Sequence, residues 1–201
     1  EKRMKPLCNV PEIALGGQAI DGGFLILTEE EKEEFLEKEP QASPFFRHYM
    51  MGKDFIARKS RYCLWLKDIL PSELKKYPKI MERVKNVREF RLSCPSPDTN
   101  HYADKPTFPV RLRYYSEDRI NPALALPKVS SQNRRYIPME VIDADVIAGS
   151  KLFLIPDISL YHFGVLTSNV HMAWMRTVCG RLKSDYSYAS NVVYNTFPWP
   201  E

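Results

Sequence analysis

Residues 166–200 read LTSNVHMAWMRTVCGRLKSDYSYASNVVYNTFPWP, and this stretch carries the most informative pattern in the chain. Apolar side chains recur at helical spacing before it and within its first half, which predicts a long helix near 158–179. Gly180 stands where a glycine commonly ends a helix. We therefore expect a charged, tyrosine-rich contact loop over 181–190, followed by a packed closing strand over Tyr194–Pro200.

Chain length and hydropathy favour one globular unit. The 201 residues are 44% hydrophobic, which suffices for a packed core, so we treat 1–201 as a single domain. No run of about 18 apolar residues occurs, and the first residues lack the apolar stretch of a signal peptide. We expect a cytoplasmic protein without a membrane segment.

The motifs of common active sites are absent. The four cysteines are widely scattered, with no CxxC pair, so neither a zinc site nor a disulfide framework is indicated. No nucleotide-binding glycine loop, HExxH or GxSxG motif occurs. Asp143 and Asp145 leave a small hydrolase as a weak alternative, but aspartates near a turn are usually turn residues. We expect no catalytic residue, metal or cofactor within this chain.

Positive charge is concentrated in the middle of the chain. Residues 45–92 hold 13 Lys/Arg and 5 Asp/Glu, and residues 102–135 hold 7 and 3. Such a surface suits a phosphate backbone, because Lys and Arg contacts release counterions from it. A solvated helix face is the plainer alternative.

The first part of the chain, 1–92, is predicted to be helix-rich. Thr28 and Glu31 have the spacing of a capping box and begin a helix that ends at Pro40. A dense apolar run at Arg61–Leu66 predicts a core strand. Two helices follow it, because Pro78 interrupts the next helical pattern.

The second part, 108–201, is predicted to be strand-rich. A polar, proline-rich loop over 93–108 precedes it. Short apolar runs separated by turns indicate a mixed, mostly antiparallel sheet with flanking helices, which is an α+β fold. The runs are Val110–Tyr115, Ala123–Val129, Tyr136–Met139, Val146–Ile147 and Leu152–Ile155.

Lys183 and Asp185 admit two interpretations. In an extended segment, residues one apart point the same way. A lysine donates to the O6 and N7 atoms of guanine, and a carboxylate accepts from the N4 amino group of cytosine, so the pair could recognise one G·C pair in the major groove. A surface salt bridge between the two side chains is the plainer alternative.

Nearly the whole chain resembles the target recognition domain of the MmeI-like Type II (Type IIL/IIG) restriction-modification enzymes. Four motifs in order carry this resemblance, and the closing NTFPWP block is especially specific. They are MGKDFI at 51–56 with RYCLWL at 61–66, PKVSSQNRRYIP at 127–138, MAW at 172–174 through GRLKSDYSY at 180–188, and YNTFPWP at 194–200.

The resemblance implies a role and partners. In that family one polypeptide joins an endonuclease, an adenine-N6 methyltransferase that uses S-adenosylmethionine, and this DNA-binding domain. This chain contains neither the [DN]PP[YF] methyltransferase motif nor a nuclease motif. We therefore expect a DNA target recognition domain that binds double-stranded DNA, with S-adenosylmethionine, and Mg for cleavage, bound by the methyltransferase and endonuclease domains of the same polypeptide.

The resemblance also implies site residues. Its specificity loop falls on Lys183, Asp185 and Ser187, where the first two correspond to the family's paired readers of one base pair. Ser187 matches a position that is arginine in some relatives, and a short serine there leaves direct readout of the neighbouring pair in doubt. Further possible DNA contacts are Ser130, Ser131, Arg134, Arg135, Lys151, Arg181 and Tyr186.

One alternative function from a different class remains open. The basic face could pack on neighbouring domains of the same protein, which would make the chain a scaffold or interaction domain. Lys183 and Asp185 would then merely pair with each other.

Overall fold

The computed structural model describes residues 2–107 and 121–200, and it has an α+β fold. The predicted strand at Val110–Tyr115 lies outside the described residues. The helices are α1 (Glu29–Lys38), α2 (Gly52–Ala57), α3 (Pro71–Leu74), α4 (Pro78–Ser93), α5 (Pro97–His101), α6 (Leu160–Leu166) and α7 (Asn169–Val178). The strands are β1 (Ala14–Leu15), β2 (Ile26–Thr28), β3 (Phe46–Met50), β4 (Arg61–Leu64), β5 (Ala123–Pro127), β6 (Val129–Ser130), β7 (Glu140–Ile142), β8 (Ile147–Ala148), β9 (Leu152–Pro156), β10 (Gly180–Leu182) and β11 (Asp185–Ser187).

The strands form three small sheets. Their orders are β1-β9-β5-β7, β2-β4-β3-β8 and β10-β11-β6. Strands β3 and β8 pair in parallel, whereas the other named pairings are antiparallel. The predicted mixed, mostly antiparallel sheet arrangement with flanking helices is confirmed.

Helices α1 and α4 are joined by their capping groups. The predicted capping box at Thr28 is present, since Thr28 Oγ1 accepts from Glu31 N and Glu31 Oε2 accepts from Thr28 N. Glu39, at the end of α1, accepts from Lys79 N at 2.9 Å and from Ile80 N at 3.3 Å. A buried carboxylate therefore satisfies the first backbone donors of α4, which begins at Pro78 as predicted.

Arg91 connects α4 to two loops. Its side chain is fully buried, and its guanidinium donates to the carbonyl oxygens of Ala19, Ile20, Tyr102 and Lys105 at 2.9–3.3 Å. None of these four residues belongs to a β-strand. The Arg91 side chain therefore satisfies backbone carbonyl groups that no neighbouring strand can pair with.

The C-terminal core packs α6, α7 and the last ten residues against β5 and β9. Tyr194, Phe197 and Trp199 are buried in this cluster. Trp174 Nε1 donates to Val193 O at 3.0 Å, and the Tyr194 hydroxyl donates to Pro11 O at 2.7 Å. The end of the chain is thereby held against both α7 and the N-terminal segment.

The predicted single helix over 158–179 is wrong. Helix α6 ends at Leu166, and α7 begins at Asn169 after an N-cap at Ser168, whose hydroxyl accepts from His171 N at 3.2 Å. The apolar spacing continues across this break, so periodicity alone does not reveal it. Gly180 directly follows the C-cap of α7, Cys179, as predicted, but it lacks the positive φ of a capping glycine and begins β10.

Three further expectations differ from the structure. The 93–108 segment contains α5 and a 3-10 turn at Tyr102–Asp104. Tyr136–Met139 is irregular, and β7 begins one residue later. The closing stretch is a π-helix at Ser190–Tyr194 followed by irregular chain, not a strand. Among the described residues, no helix is long and apolar enough to cross a membrane.

Candidate nucleic-acid interface

The segment predicted to be a loop over 181–190 begins as a β-hairpin. Strands β10 and β11 pair antiparallel, with Leu182 opposite Asp185 as the last pair before the turn. Lys183 and Ser184 form the two-residue turn, and both are exposed. A two-stranded ribbon of this kind fits the major groove of B-DNA.

Lys183 adopts an unfavourable backbone conformation. Its φ is 56°, in the left-handed region that suits glycine. The expectation that Lys183 and Asp185 point the same way along one extended strand is therefore wrong, since Lys183 belongs to the turn. No ion pair joins these two side chains in the part of the chain that the structure describes. The hairpin instead places the Lys183 ammonium group in the turn and the Asp185 carboxylate at the first residue of β11.

Arg181 supports the hairpin turn. Its guanidinium lies 4.1 Å from the centre of the Tyr186 ring, and its Nη1 donates to Ser184 O at 3.0 Å. Arg181 and Tyr186 are opposite each other in the β10–β11 pair, so the stacking is a cross-strand contact. The arrangement fixes the carbonyl of the residue directly after Lys183.

The turn at 130–135 lies beside the hairpin. Strand β11 pairs with β6, which places Tyr186 opposite Ser130. Gln132 N donates to Asp185 Oδ1 at 3.4 Å, and Asn133 N donates to the Ser131 hydroxyl at 3.3 Å. Two segments more than 50 residues apart in sequence therefore share one surface.

The two faces of this small sheet differ in exposure. Tyr186 and Ser130 lie on one face and are only 9% and 2% exposed, so their side chains offer little surface to a ligand. Leu182, Asp185 and Ser187 share the opposite face, and each is exposed or half-buried. The resemblance-derived residues Asp185 and Ser187 are thus brought together on the accessible face.

Arg134 and Arg135 extend this surface towards α7. Both are exposed. The carbonyl of Arg135 accepts from Arg176 Nη2. The guanidinium of Arg135 lies 5.3 Å from the centre of the Tyr136 ring. The Tyr136 hydroxyl donates to Asn169 Oδ1 at 2.8 Å. The turn therefore rests on the helix through contacts that leave the two guanidinium groups near solvent.

Lys151 reaches the same region through backbone contacts. Lys128 N donates to Lys151 O at 2.9 Å, and Tyr188 N donates to Lys128 O at 2.8 Å. Gly52 packs so closely that an added Cβ would lie 2.9 Å from Lys151 O, which explains the glycine before Lys53.

Sequence reasoning did not single out two basic residues of this region, Lys128 and Arg176. Lys128 lies in the basic segment 102–135, two residues before the 130–135 turn, so its position was a usable signal. Arg176 lies outside both basic segments, and only the fold brings α7 to the 130–135 turn.

A buried polar pair lies beneath the hairpin. His171 Nε2 and the Tyr188 hydroxyl are 3.2 Å apart, and both side chains are buried. Burial lowers the pKa of His171 to about 4 and raises the pKa of Tyr188. His171 is therefore neutral in the folded protein near pH 7, which suits a structural support for the segment that follows β11.

The structure does not favour the hydrolase alternative. Val146 N donates to Asp143 O at 3.2 Å, so Asp143 and Asp145 belong to the turn between β7 and β8. Within residues 2–107 and 121–200, no group of three or more His, Cys, Asp or Glu side chains could hold a metal ion.

Comparison with known proteins identifies relatives along the whole chain. A family model described as the MmeI target recognition domain matches residues 1–201. DNA methyltransferase A of Bacillus subtilis (strain 168) is 36% identical over 199 residues, covering 99% of this chain and 22% of that protein.

A solved structure has the same fold. It is the Type IIL restriction-modification enzyme MmeI in complex with DNA, and it matches with a TM-score of 0.93 and 37% sequence identity over 100% of this chain and 26% of that one. The chain thus spans about a quarter of the length of both relatives. It belongs to the family of MmeI target recognition domains.

Proposed function

We propose that this chain recognises a specific sequence in duplex DNA through the major groove, and that the β10–β11 hairpin supplies the base contacts. One observation carries the proposal. The hairpin carries Lys183 in its turn, Asp185 at the start of β11 and Ser187 at the end of β11, and it lies beside the basic 130–135 turn in a chain whose whole length matches the fold of part of MmeI in complex with DNA.

The chemistry of the tip suits one G·C pair. Lys183 donates to the O6 and N7 atoms of guanine, and Asp185 accepts from the N4 amino group of cytosine. Asp185 already accepts from Gln132 N, which limits its rotation and holds one oxygen in place. A well-placed contact of this kind discriminates between bases by about 1 to 3 kcal/mol. Ser187, on the same face, is too short to match the reach of an arginine.

The surrounding cations suit the DNA backbone. Arg134, Arg135 and Lys151 are exposed near the hairpin, and the bond from Lys128 N to Lys151 O brings Lys128 next to Lys151. Phosphate contacts position a protein on the duplex without specifying sequence. Binding should therefore weaken steeply with salt.

Catalysis would come from other parts of a longer polypeptide. The relatives are about four times as long as this chain, and one of them is a DNA methyltransferase. We assign adenine-N6 methyl transfer from S-adenosylmethionine, and Mg-dependent cleavage, to domains outside these residues. A cytoplasmic location is part of the same proposal, because DNA is the partner. Methyl transfer by the 201 residues alone would contradict the assignment of catalysis to other domains.

A specific feature favours contact with another domain as a second role. Leu160, 88% exposed, and Val141 are exposed at a groove that Met139 and Phe163 also line. This groove lies by Asn121 and Asp157, at the opposite end of β5 and β9 from the hairpin. Packing on a neighbouring domain there leaves the hairpin accessible to DNA. The scaffold alternative differs in holding that Lys183 and Asp185 contact no base.

An exchange of charges separates the two functions. Lys183→Glu combined with Asp185→Arg, in the full-length polypeptide, should change the preferred base pair at one position of the recognised sequence. The preferred sequence is measured by selecting bound duplexes from a randomised pool and, independently, by sequencing methylated sites. The matched control is Lys85→Glu with Glu89→Arg, which reverses an exposed pair on α4 whose atoms are 3.8 Å apart. An unchanged sequence in the hairpin variant would contradict base recognition by these residues.

A further inference from the structure

Leu182 is an exposed apolar side chain within a charged hairpin tip. It is 58% exposed, and its chain neighbours are Arg181 and Lys183. Among the described residues, it is a member of none of the three hydrophobic clusters of buried and partly buried side chains. An isolated exposed leucine is ordinary on a protein surface, so its significance depends on what surrounds it.

The surroundings of Leu182 are the proposed base-contacting groups. Leu182 is directly opposite Asp185, and the next pair on the same face joins Gly180 and Ser187. Cβ atoms of such cross-strand pairs are about 5 Å apart. Leu182, the apolar residue of β10, therefore lies beside Asp185 and on the same face of the sheet.

The opposite face of the hairpin shows that Leu182 is not needed to hold the fold. Arg181 and Tyr186 stack there at 4.1 Å, and Tyr186 is buried. Packing of the hairpin on the protein thus uses the Tyr186 face. On the Leu182 face β11 contributes only Asp185 and Ser187, and the apolar side chain of β6 on that face, Val129, is opposite Ser187 and not opposite Asp185.

The major groove offers one apolar group to such a side chain. Thymine presents its O4 acceptor and its C5-methyl group there, whereas the other bases present polar atoms. The Asp185 carboxylate would repel a thymine O4, so the thymine cannot occupy the base pair that Asp185 contacts. Stacked bases are about 3.4 Å apart along one strand, so two side chains about 5 Å apart at their Cβ atoms can reach neighbouring base pairs.

We propose that Leu182 packs against the 5-methyl group of a thymine in the base pair next to the one contacted by Lys183 and Asp185, and that it is therefore a specificity-determining residue. The inference rests on the proposed function of the hairpin. It adds a position to the recognised sequence at which apolar contact, and no hydrogen bond, distinguishes the base.

Removal of single methyl groups from the DNA tests this contact. The full-length polypeptide is first used to select its preferred sequence from randomised duplexes. Each thymine of that sequence is then replaced by deoxyuridine, which lacks only the 5-methyl group. We expect one replacement to weaken binding about fourfold, the effect of burying one methyl-sized group, and the others to have little effect.

Variants of Leu182 connect the effect to the protein. Leu182→Ala should bind the thymine and deoxyuridine duplexes equally, while Leu182→Met, which keeps an apolar side chain, should retain the preference for thymine. Leu92→Ala is the matched control, because Leu92 is exposed to a similar degree on α4 and should leave the preference unchanged.

Each outcome decides the matter. Indifference of the unaltered protein to every replacement, or a thymine preference that persists in Leu182→Ala, overturns the inference. If the selected sequence still responds to the exchange of Lys183 and Asp185, the proposed function survives that result. If the full-length polypeptide selects no sequence, both proposals fail.

Discussion

The polar groups of two regions have opposite environments: those that join α1, α4 and the neighbouring loops, here termed the junction, and those of the β10–β11 hairpin. At the junction, Glu39 accepts from two backbone N–H groups at the N-terminal end of α4, and near the C-terminal end of α4 Arg91 donates to four carbonyl oxygens. At the hairpin, Lys183 and Asp185 are accessible and form no ion pair with each other, and Leu182 is exposed.

The difference between buried, hydrogen-bonded groups and exposed groups distinguishes residues that stabilise the fold from residues that are accessible to a ligand. Buried polar groups that bond each other stabilise a particular packing. The left-handed Lys183 and the exposed Leu182 contribute nothing of that kind, and the backbone of Lys183 also contradicts the local preference of its residue type. We expect substitutions at the junction to change the free energy of unfolding, and substitutions at the hairpin tip to change DNA recognition.

The largest effect on stability is expected for Arg91→Met. Four carbonyl oxygens would lose a charged donor inside the protein, and only that of Tyr102 also accepts from a backbone group, Lys105 N, among the contacts described for these four. An unsatisfied buried acceptor costs about 1 to 3 kcal/mol. Allowing for relaxation, the free energy of unfolding should fall by about 3 kcal/mol. Urea denaturation followed by circular dichroism measures it.

The neighbouring arginine on α4 is the control for Arg91. Arg88 is half-exposed and faces Asp104 at 4.0 Å, so Arg88→Met should change the free energy of unfolding by less than about 0.5 kcal/mol. Equal losses in both variants would show that the buried carbonyl contacts are not the cause.

The second effect is a dependence of stability on pH through His171. Its pKa is lowered to about 4 in the folded protein, below the value near 6.5 of an unfolded chain. The unfolded state therefore binds more protons between these values, and stability is full above about pH 6.5 and falls as the pH drops towards 4. We expect a loss of about 2 kcal/mol between pH 7 and pH 5.

Removal of the imidazole should flatten this pH profile. His171→Gln keeps a polar group near the Tyr188 hydroxyl but cannot titrate, so its stability should change little between pH 7 and pH 5. His101→Gln, at an exposed position at the end of α5, should keep the slope of the unaltered chain. A slope that persists in His171→Gln, or is lost in His101→Gln, would assign the pH dependence to a group other than His171.

The third effect concerns the cap of α1. Thr28→Ala removes the hydroxyl that accepts from Glu31 N at 3.2 Å, and loss of such a cap costs about 1 kcal/mol. Thermal unfolding at fixed pH measures the change. The DNA sequence selected by the full-length variant should be unaltered, and any change in that sequence would break the division between junction and hairpin.

Features set by neighbouring residues could be predicted from the sequence. The Thr28–Glu31 box, the core strand predicted at Arg61–Leu66 and the new helix at Pro78 follow from local rules, and all three are present, although the strand ends at Leu64. The α+β class follows from the same short-range patterns. Local chemistry was sufficient in these places because it agrees with the tertiary packing.

The hairpin and its setting could not be predicted in the same way. Lys183 and Ser184 are not the Asn-Gly or Gly-X pairs that are typical of a two-residue hairpin turn, so the sequence predicted a loop over 181–190. The contact of Asp185 with Gln132 depends on pairing between β11 and β6, which no local pattern specifies. The identity of the base-contacting residues remains a prediction, carried by the family resemblance.

The smallest effect on stability, and the sharpest test of the comparison, comes from two residues with the same backbone conformation. Lys183 has φ 56° in the hairpin, and Arg58 has φ 51° at the end of α2. Glycine adopts this conformation without strain but loses more entropy on folding, so Lys183→Gly and Arg58→Gly should each raise the free energy of unfolding by no more than about 0.5 kcal/mol.

Their effects on DNA binding should differ. Lys183→Gly removes the proposed guanine donor and should weaken binding to the selected sequence by about 1 to 3 kcal/mol, measured by titration of a labelled duplex, with a much smaller loss for unrelated duplexes. Arg58→Gly should leave discrimination between the two duplexes intact. A similar loss of discrimination in both variants would mean that backbone geometry, and not the lysine side chain, governs recognition. Retained discrimination in Lys183→Gly would remove the reason for a strained lysine at the tip.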